Sequence, residues 1–168
     1  MVDPTLFREA MSRLGAAVCL ITTDGNAGRG GFTASAVCSV TDGPPTMLVC
    51  MKRTVRSHDT FLANRALCVN VLSGSHQSLS GSFADSSVSM EERFRGPDWT
   101  SGSTGLPLLA SAVVAFECQI ADATEVGTHT VLFCTVAAAH FGEAAEDALL
   151  YCGRAYHRLP FAKQVGRA

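Results

Sequence analysis

Six short apolar runs limit what this chain can become. They read AAVCLITT (16–23), TMLVCM (46–51), ALCVNVL (66–72), VVAFECQI (113–120), TVLFCTVAAAHF (130–141) and ALLYCG (148–153). All are rich in Val, Cys, Leu and Phe, and Gly, Pro, Asp and Ser bound them, as they bound strands joined by turns. In VVAFECQI, Val114, Phe116, Cys118 and Ile120 alternate with less apolar neighbours, the period of a strand with one face turned inward. Helical segments are too few for a repeating strand–helix–strand series. What remains is a mainly β chain, a largely antiparallel barrel with a few short flanking helices, expected as one domain over 1–168.

Three segments read as helix. DPTLFREAMSRLG (3–15) places Phe7, Met11 and Leu14 on one face, with Pro4 near its start and Gly15 at its end. SHDTFLANRA (57–66) starts on Ser57 as N-cap, with Asp59 in the first turn. SGSHQSLSGSFA (73–84) is a weaker helix, because glycine and serine dominate it. DSSVSMEERFRGPDWTSGSTGLP (85–107) reads as an irregular excursion with one helical turn at MEERF. The end, AKQVGRA (162–168), reads as loosely held.

With 47 % hydrophobic and 17 % charged residues, the chain buries a sizeable core and is not disordered. A net charge of −2 argues against a broad basic face that wraps nucleic acid, though not against a small local anion site. No apolar run approaches the ~20 residues that cross a bilayer. The N-terminus lacks a signal-peptide core, so the expected location is cytoplasmic, with no membrane partner. The seven cysteines form no CxxC pair, so neither a disulfide framework nor a zinc site is expected. They read as small buried hydrophobes in a reducing compartment, and no metal is expected.

Four constellations could carry chemistry. GFTASAVCSVTDGPP (31–45) has no large side chain after Phe32. Small residues let a ligand approach the main chain, and Thr33, Ala34, Ser35 and Ala36 offer N–H donors, with the hydroxyls of Thr33, Ser35 and Ser39 beside them. The same stretch also suits a tight strand and turn in a crowded barrel. KRTVRS (52–57) gathers Lys52, Arg53, Arg56, Thr54 and Ser57 where a strand gives way to a helix. Unpaired helical N–H groups and arginine forks make that a phosphate site, or else a solvated basic loop. In VGTHTVLF (126–133) a turn at Gly127 precedes His129, which either meets a ligand at the barrel mouth or ends a strand. YCGRAYHRL (151–159) places two tyrosines near the terminus, for core or dimer packing, or for stacking.

Taken in order, FREAMSRLGAAVCLITT, GFTASAVCSVTDGPP, LCVNVLS, LSGSFA, MEERF, GTH and YCGRAYHRL resemble the short-chain flavin reductases, the small reductase components of two-component flavin-dependent monooxygenases. The likeness runs from about Phe7 to Leu159. Thr128 stands where many of that family carry aspartate. The resemblance implies an FMN-binding split barrel that forms homodimers. It implies NADH or NADPH as hydride donor, FMN or FAD as acceptor, and a separate oxygenase that receives the reduced flavin. Carried onto this chain, it sets the amides of Thr33, Ala34, Ser35 and Ala36 against the N5 and O4 edge of the ring. Ser39, Thr54, Arg56 and Ser57 would hold the phosphate, and His129, the catalytic candidate, would place the nicotinamide or touch the ring. Arg93, Phe94 and Tyr156 would complete the pocket wall. Two other functions fit the same residues: a flavoprotein that keeps its flavin and passes electrons to a protein partner, and a non-catalytic flavin- or heme-binding barrel.

Overall fold

The fold is that of a computed structural model, which describes residues 1–96, 98–142 and 145–162. The expectation of loose order at 162–168 lies, from 163 on, outside the described residues. Chain order is α1 (Pro4–Ser12), β1 (Ala16–Ala17), β2 (Cys19–Thr23), β3 (Gly30–Ala34), β4 (Val37–Asp42), β5 (Pro45–Lys52), α2 (His58–Asn64) and β6 (Ala66–Val71). A 3-10 turn (Gly74–His76) leads into α3 (Gln77–Ala84) and then α4 (Met90–Arg93). After them come β7 (Trp99–Ser101), β8 (Pro107–Leu109), β9 (Val114–Val126), β10 (His129–Phe141), β11 (Asp147–Cys152) and β12 (Ala155–Pro160).

Seven strands form one antiparallel sheet in the order β3-β2-β6-β9-β10-β5-β4. The two edge strands are consecutive in sequence, with only Ser35 and Ala36 between them. Three Cα–Cα steps reach at most about 11 Å. The sheet must therefore curl until its edges meet at that bend. β3 and β4 act as one bent strand, the first half on β2 and the second on β5, with Cys50 N donating to Ala36 O at 3.0 Å where they change partner. The ladder is open but the wall is nearly continuous, the architecture of a split barrel.

Alternation of the kind read in VVAFECQI recurs on other strands and builds the core. Cys19 and Ile21, Phe32 and Ala34, Val49 and Met51, Leu67 and Val69, Cys118 and Ile120, and Leu132 and Cys134 enter one cluster as pairs two residues apart. Phe61 of α2 plugs it, edge to face with Phe32 at 5.3 Å. β2 is buried along its whole length because a second cluster lies on its other face, where Leu20 meets Leu72, Phe83, Phe94, Leu109 and Leu149.

The structure revises several local expectations. The excursion 85–107 is partly regular: α4 is its helical turn, and β7 pairs with β8 as a small antiparallel sheet. β12 was hidden in a polar terminal stretch, yet it pairs with β11 from end to end. Helix α1 is capped by Asp3, whose Oδ1 accepts from Thr5 N at 2.8 Å, but Phe7 and Met11 stay exposed, as does Leu14 just beyond the helix. Ser57 sits at the N-cap of α2 without making a capping bond. Of the seven free cysteines, Cys19, Cys68, Cys118 and Cys134 are buried, Cys50 and Cys152 are half-buried and Cys38 is exposed. Burial pushes the Cys19, Cys118 and Cys134 thiols up to about 12, so they are inert.

Candidate functional site

A cleft of about 860 Å³ opens beside the β3–β4 bend. One wall is the bend itself, Phe32 to Ala36. The floor is Cys50 and Lys52 of β5, followed by Thr54, Val55 and Arg56. The far wall is Phe83 and Ala84 of α3, then Ser86 and Arg93; His129 closes the mouth. Thr33–Ala36, residues 52–56 and His129, segments far apart in sequence, therefore meet in one place.

Ser35 and Ala36 fall between two ladders, so their amides are spared sheet pairing. Thr33 is pinned from behind, its hydroxyl donating to Ser80 O at 2.7 Å. His129 begins β10 directly across from Lys52. The two-residue turn before it needs Gly127, whose φ of 58° lies in the left-handed region that glycine enters freely. Thr128 Oγ1 lies 2.9 Å from His129 Nδ1 and orients the ring.

The cations sort themselves. Arg53 turns out of the cleft to Glu125, 2.7 Å away. Lys52 and Arg56 have no ion pair among the described residues, and neither has Arg93. Arg93 is 6 % exposed. Its Nη1 donates to Gly31 O at 2.9 Å and its Nη2 to Asp85 O at 2.6 Å, while its buried Nε has no partner. Burial, and then the neighbouring Arg56 charge, lower its hold on its proton, which Asp85 partly offsets. A buried guanidinium whose hydrogen bonds go to carbonyls, beside a second cation, has charge that an anion would balance.

Some expected residues lie elsewhere. Ser39 is exposed on β4, past the bend that carries the chain out of the cleft. Ser57 is buried behind the floor, so close to Gly30 that a Cβ there would lie 2.7 Å from Ser57 Cβ, and its hydroxyl has no partner. Phe94 packs behind the wall, edge to face on Phe83 at 5.1 Å, and faces a separate depression with Asp24 and Arg29. Tyr156 does not line the cleft itself but a small cavity of about 180 Å³ that shares Thr33, Ala34, Ser35 and Ala84 with it. Its hydroxyl lies 3.0 Å from Ser80 Oγ. Phe83 and Ala84 lie on a glycine- and serine-rich helix and Ser86 in the loop after it, segments whose sequence carries only a faint periodic signal.

The cleft thus offers open backbone at one end and unpaired cations at the other. That division suits a flat polar ring carrying a phosphate. A family model described as a flavin reductase like domain matches residues 11–160, and the chain belongs to that family of oxidoreductases. It is 52 % identical over 159 residues to the FMN reductase (NADH) RutF of Pseudomonas syringae pv. syringae (strain B728a), covering 95 % of this chain and 88 % of that protein. Against the RutF of Escherichia coli O6:K15:H31 (strain 536 / UPEC) the identity is 51 %, over 95 % of this chain and 96 % of that one. Among solved structures, the Streptomyces globisporus C-1027 NADH:FAD oxidoreductase SgcE6, in complex with NAD and FAD fragments, superposes with a TM-score of 0.85 at 30 % identity, covering 99 % of both chains. BorF, the flavin reductase component of a bacterial two-component tryptophan halogenase, gives 0.87 at 26 % identity over 95 % of this chain and 100 % of its own. No helix among the described residues is long and apolar enough to cross a membrane, and no group of metal-ligating side chains forms among them.

Proposed function

We propose that this chain is an NADH-dependent flavin reductase that uses FMN and delivers the reduced flavin to a separate oxygenase. The observation that carries this reading is the cleft that joins the unpaired Ser35–Ala36 bend to the Lys52, Arg56 and Arg93 cations. The relatives named FMN reductase (NADH) support FMN and NADH, and the two-component neighbour supports delivery to a partner. When both are bound, nicotinamide supplies the hydride and flavin accepts it, so the reaction needs position rather than an acid–base pair from the protein. The amides of Thr33 to Ala36 donate to the polar edge of the ring and favour the added electron density there. Lys52, Thr54, Arg56 and Arg93 hold the phosphate. His129 stands at the mouth, where the nicotinamide enters.

The test is loss of NADH absorbance by the purified protein, with and without FMN, FAD or riboflavin. Turnover that depends on added FMN is expected. NADH oxidation without added flavin would favour a tightly held prosthetic group, and no oxidation with any flavin would leave a non-catalytic binding barrel.

The same reading includes a homodimer. Leu6, Phe7, Met11 and Leu14 are 61 %, 57 %, 46 % and 64 % exposed, an apolar face without cover in the single chain. Phe7, Met11 and Leu14 flank a groove that continues along Val37, Cys38 and Leu48 and reaches Ser35 and Ala36 at the edge of the cleft. A second copy is the occupant that would cover this face. Light scattering is expected to give twice the chain mass, and Phe7→Asp with Met11→Asp is expected to reduce it to one chain. A wild-type monomer refutes the dimer and leaves the cleft reading standing. The seven free cysteines support a reducing, cytoplasmic location.

A further inference from the structure

Two successive carbonyls on the cleft rim are each held by an arginine. Arg93 Nη2 donates to Asp85 O at 2.6 Å, and Arg56 Nη2 donates to Ser86 O at 3.0 Å. The Arg56 bond joins the turn after β5 to the loop after α3, and both segments line the cleft. The Asp85 carboxylate neutralises neither arginine by direct pairing. It accepts from Ser87 N at 2.8 Å and Ser87 Oγ at 2.7 Å, inside its own loop. Arg56, Arg93 and Lys52 therefore line one cleft, and the Arg56–Ser86 bond ties two of its sides together.

We infer that the Arg56–Ser86 clasp, backed by Arg93, selects a flavin that ends in a phosphate monoester over one whose chain continues, and so sets FMN above FAD in this chain. The inference rests on the cleft being the flavin site. Two arguments carry it. The first is charge: a terminal phosphate monoester carries close to two negative charges near neutral pH, whereas each phosphate inside a dinucleotide carries one. Paired arginines with no carboxylate bonded to them gain most from the doubly charged group. The second is shape. In the inferred binding mode, a monoester held by Arg56 and Arg93 ends at the Arg56–Ser86 bond. A dinucleotide has a second phosphate and an adenosine beyond that point, so the Arg56–Ser86 bond must open to let the chain out.

The experiment is equilibrium titration of the wild-type protein and Arg56→Ala with riboflavin, FMN and FAD, read by flavin fluorescence. Arg56 is exposed, so the variant is expected to fold, which far-UV circular dichroism checks. Wild type is expected to bind FMN at least about tenfold more tightly than FAD. In Arg56→Ala, FMN affinity is expected to drop about tenfold or more while riboflavin is unchanged. FAD is expected to hold steady or tighten, so the FMN-to-FAD ratio collapses. If FMN and FAD weaken together at a constant ratio, Arg56 is a phosphate contact common to both and the clasp selects nothing. Equal wild-type affinity for the two flavins also overturns the inference while leaving the flavin site intact. Failure of all three ligands to bind wild type refutes the flavin site itself.

Discussion

Replacing Glu117 by glutamine is expected to lower the unfolding free energy by about 3 kcal/mol, the loss typical of breaking a buried, hydrogen-bonded charge. Glu117 is fully buried on β9. Its Oε1 accepts from Ser103 N and Ser103 Oγ, both at 2.8 Å, and lies 2.6 Å from His140 Nε2. Its Oε2 accepts from Thr104 N at 2.8 Å and from the Thr104 hydroxyl. A glutamine amide would turn an N–H₂ toward donors already in place, leave a backbone N–H of Ser103 or Thr104 unpaired and force the neighbouring hydroxyl to turn. The contact also explains Gly102. A Cβ there would fall 2.5 to 2.6 Å from the carboxyl atoms, so Gly102→Ala should destabilise in the same direction. Urea denaturation gives the magnitude. A change below about 1 kcal/mol for Glu117→Gln would show that the network is no stronger than an ordinary surface contact.

The same carboxylate predicts a pH dependence. Burial works against its ionisation, but the Thr104 and Ser103 donors and His140 outweigh burial and lower its pKa from 4.5 to about 2. The unfolded chain therefore takes up this proton first as the solution is acidified. The stability Glu117 contributes is complete above pH 4.5 and is lost as pH falls through about 2. The gap between wild type and Glu117→Gln is accordingly expected to be widest above that window and to narrow within it. A gap that stays constant down to acid pH would mean the carboxylate is not held ionised.

Apolar runs bounded by turn residues were enough to find six of the strands, and alternation assigned Phe116, Cys118 and Ile120 to one face of β9. It could not show that the outer face is covered as well. Ala115 and Glu117 point there and are buried, because a separate segment folds over them. That segment, with β7 and β8, is rich in glycine and serine and carries little periodic signal, so its regular structure emerges only on packing. The site divides along the same line. Thr33–Ala36, Thr54, Arg56 and His129 stand out by local chemistry, and the barrel gathers them. Ser39 and Ser57 have the same chemistry but the wrong direction, since the bend at Ser35–Ala36 and the turn into α2 decide which way they point. Arg93 was legible only through the family resemblance. A lone arginine in a one-turn helix reads as solvated until the fold buries it beneath Gly31 and Asp85.

A large side chain at the bend tests why this stretch is small. Ala36→Phe is expected to reduce kcat/KM for FMN about a hundredfold, or about 2.7 kcal/mol, with unfolding free energy held within about 0.5 kcal/mol. Ala36 is exposed and lines the cleft opposite Cys50, whose N–H it receives. Val37, the next residue, packs against the core, so the Ala36 side chain points the other way and a phenyl ring there enters the cleft rather than the core of its own chain. The space a flat ring needs against the backbone is then filled, while the ladder on either side keeps its bonds. Riboflavin, which has the ring but no phosphate, should lose affinity as steeply as FMN does. That pattern is the reverse of the one expected for Arg56→Ala, where riboflavin is untouched. Unchanged turnover by Ala36→Phe would place the ring away from the bend, and the small residues of 33–36 would then be needed only for the tight passage of one strand between two ladders.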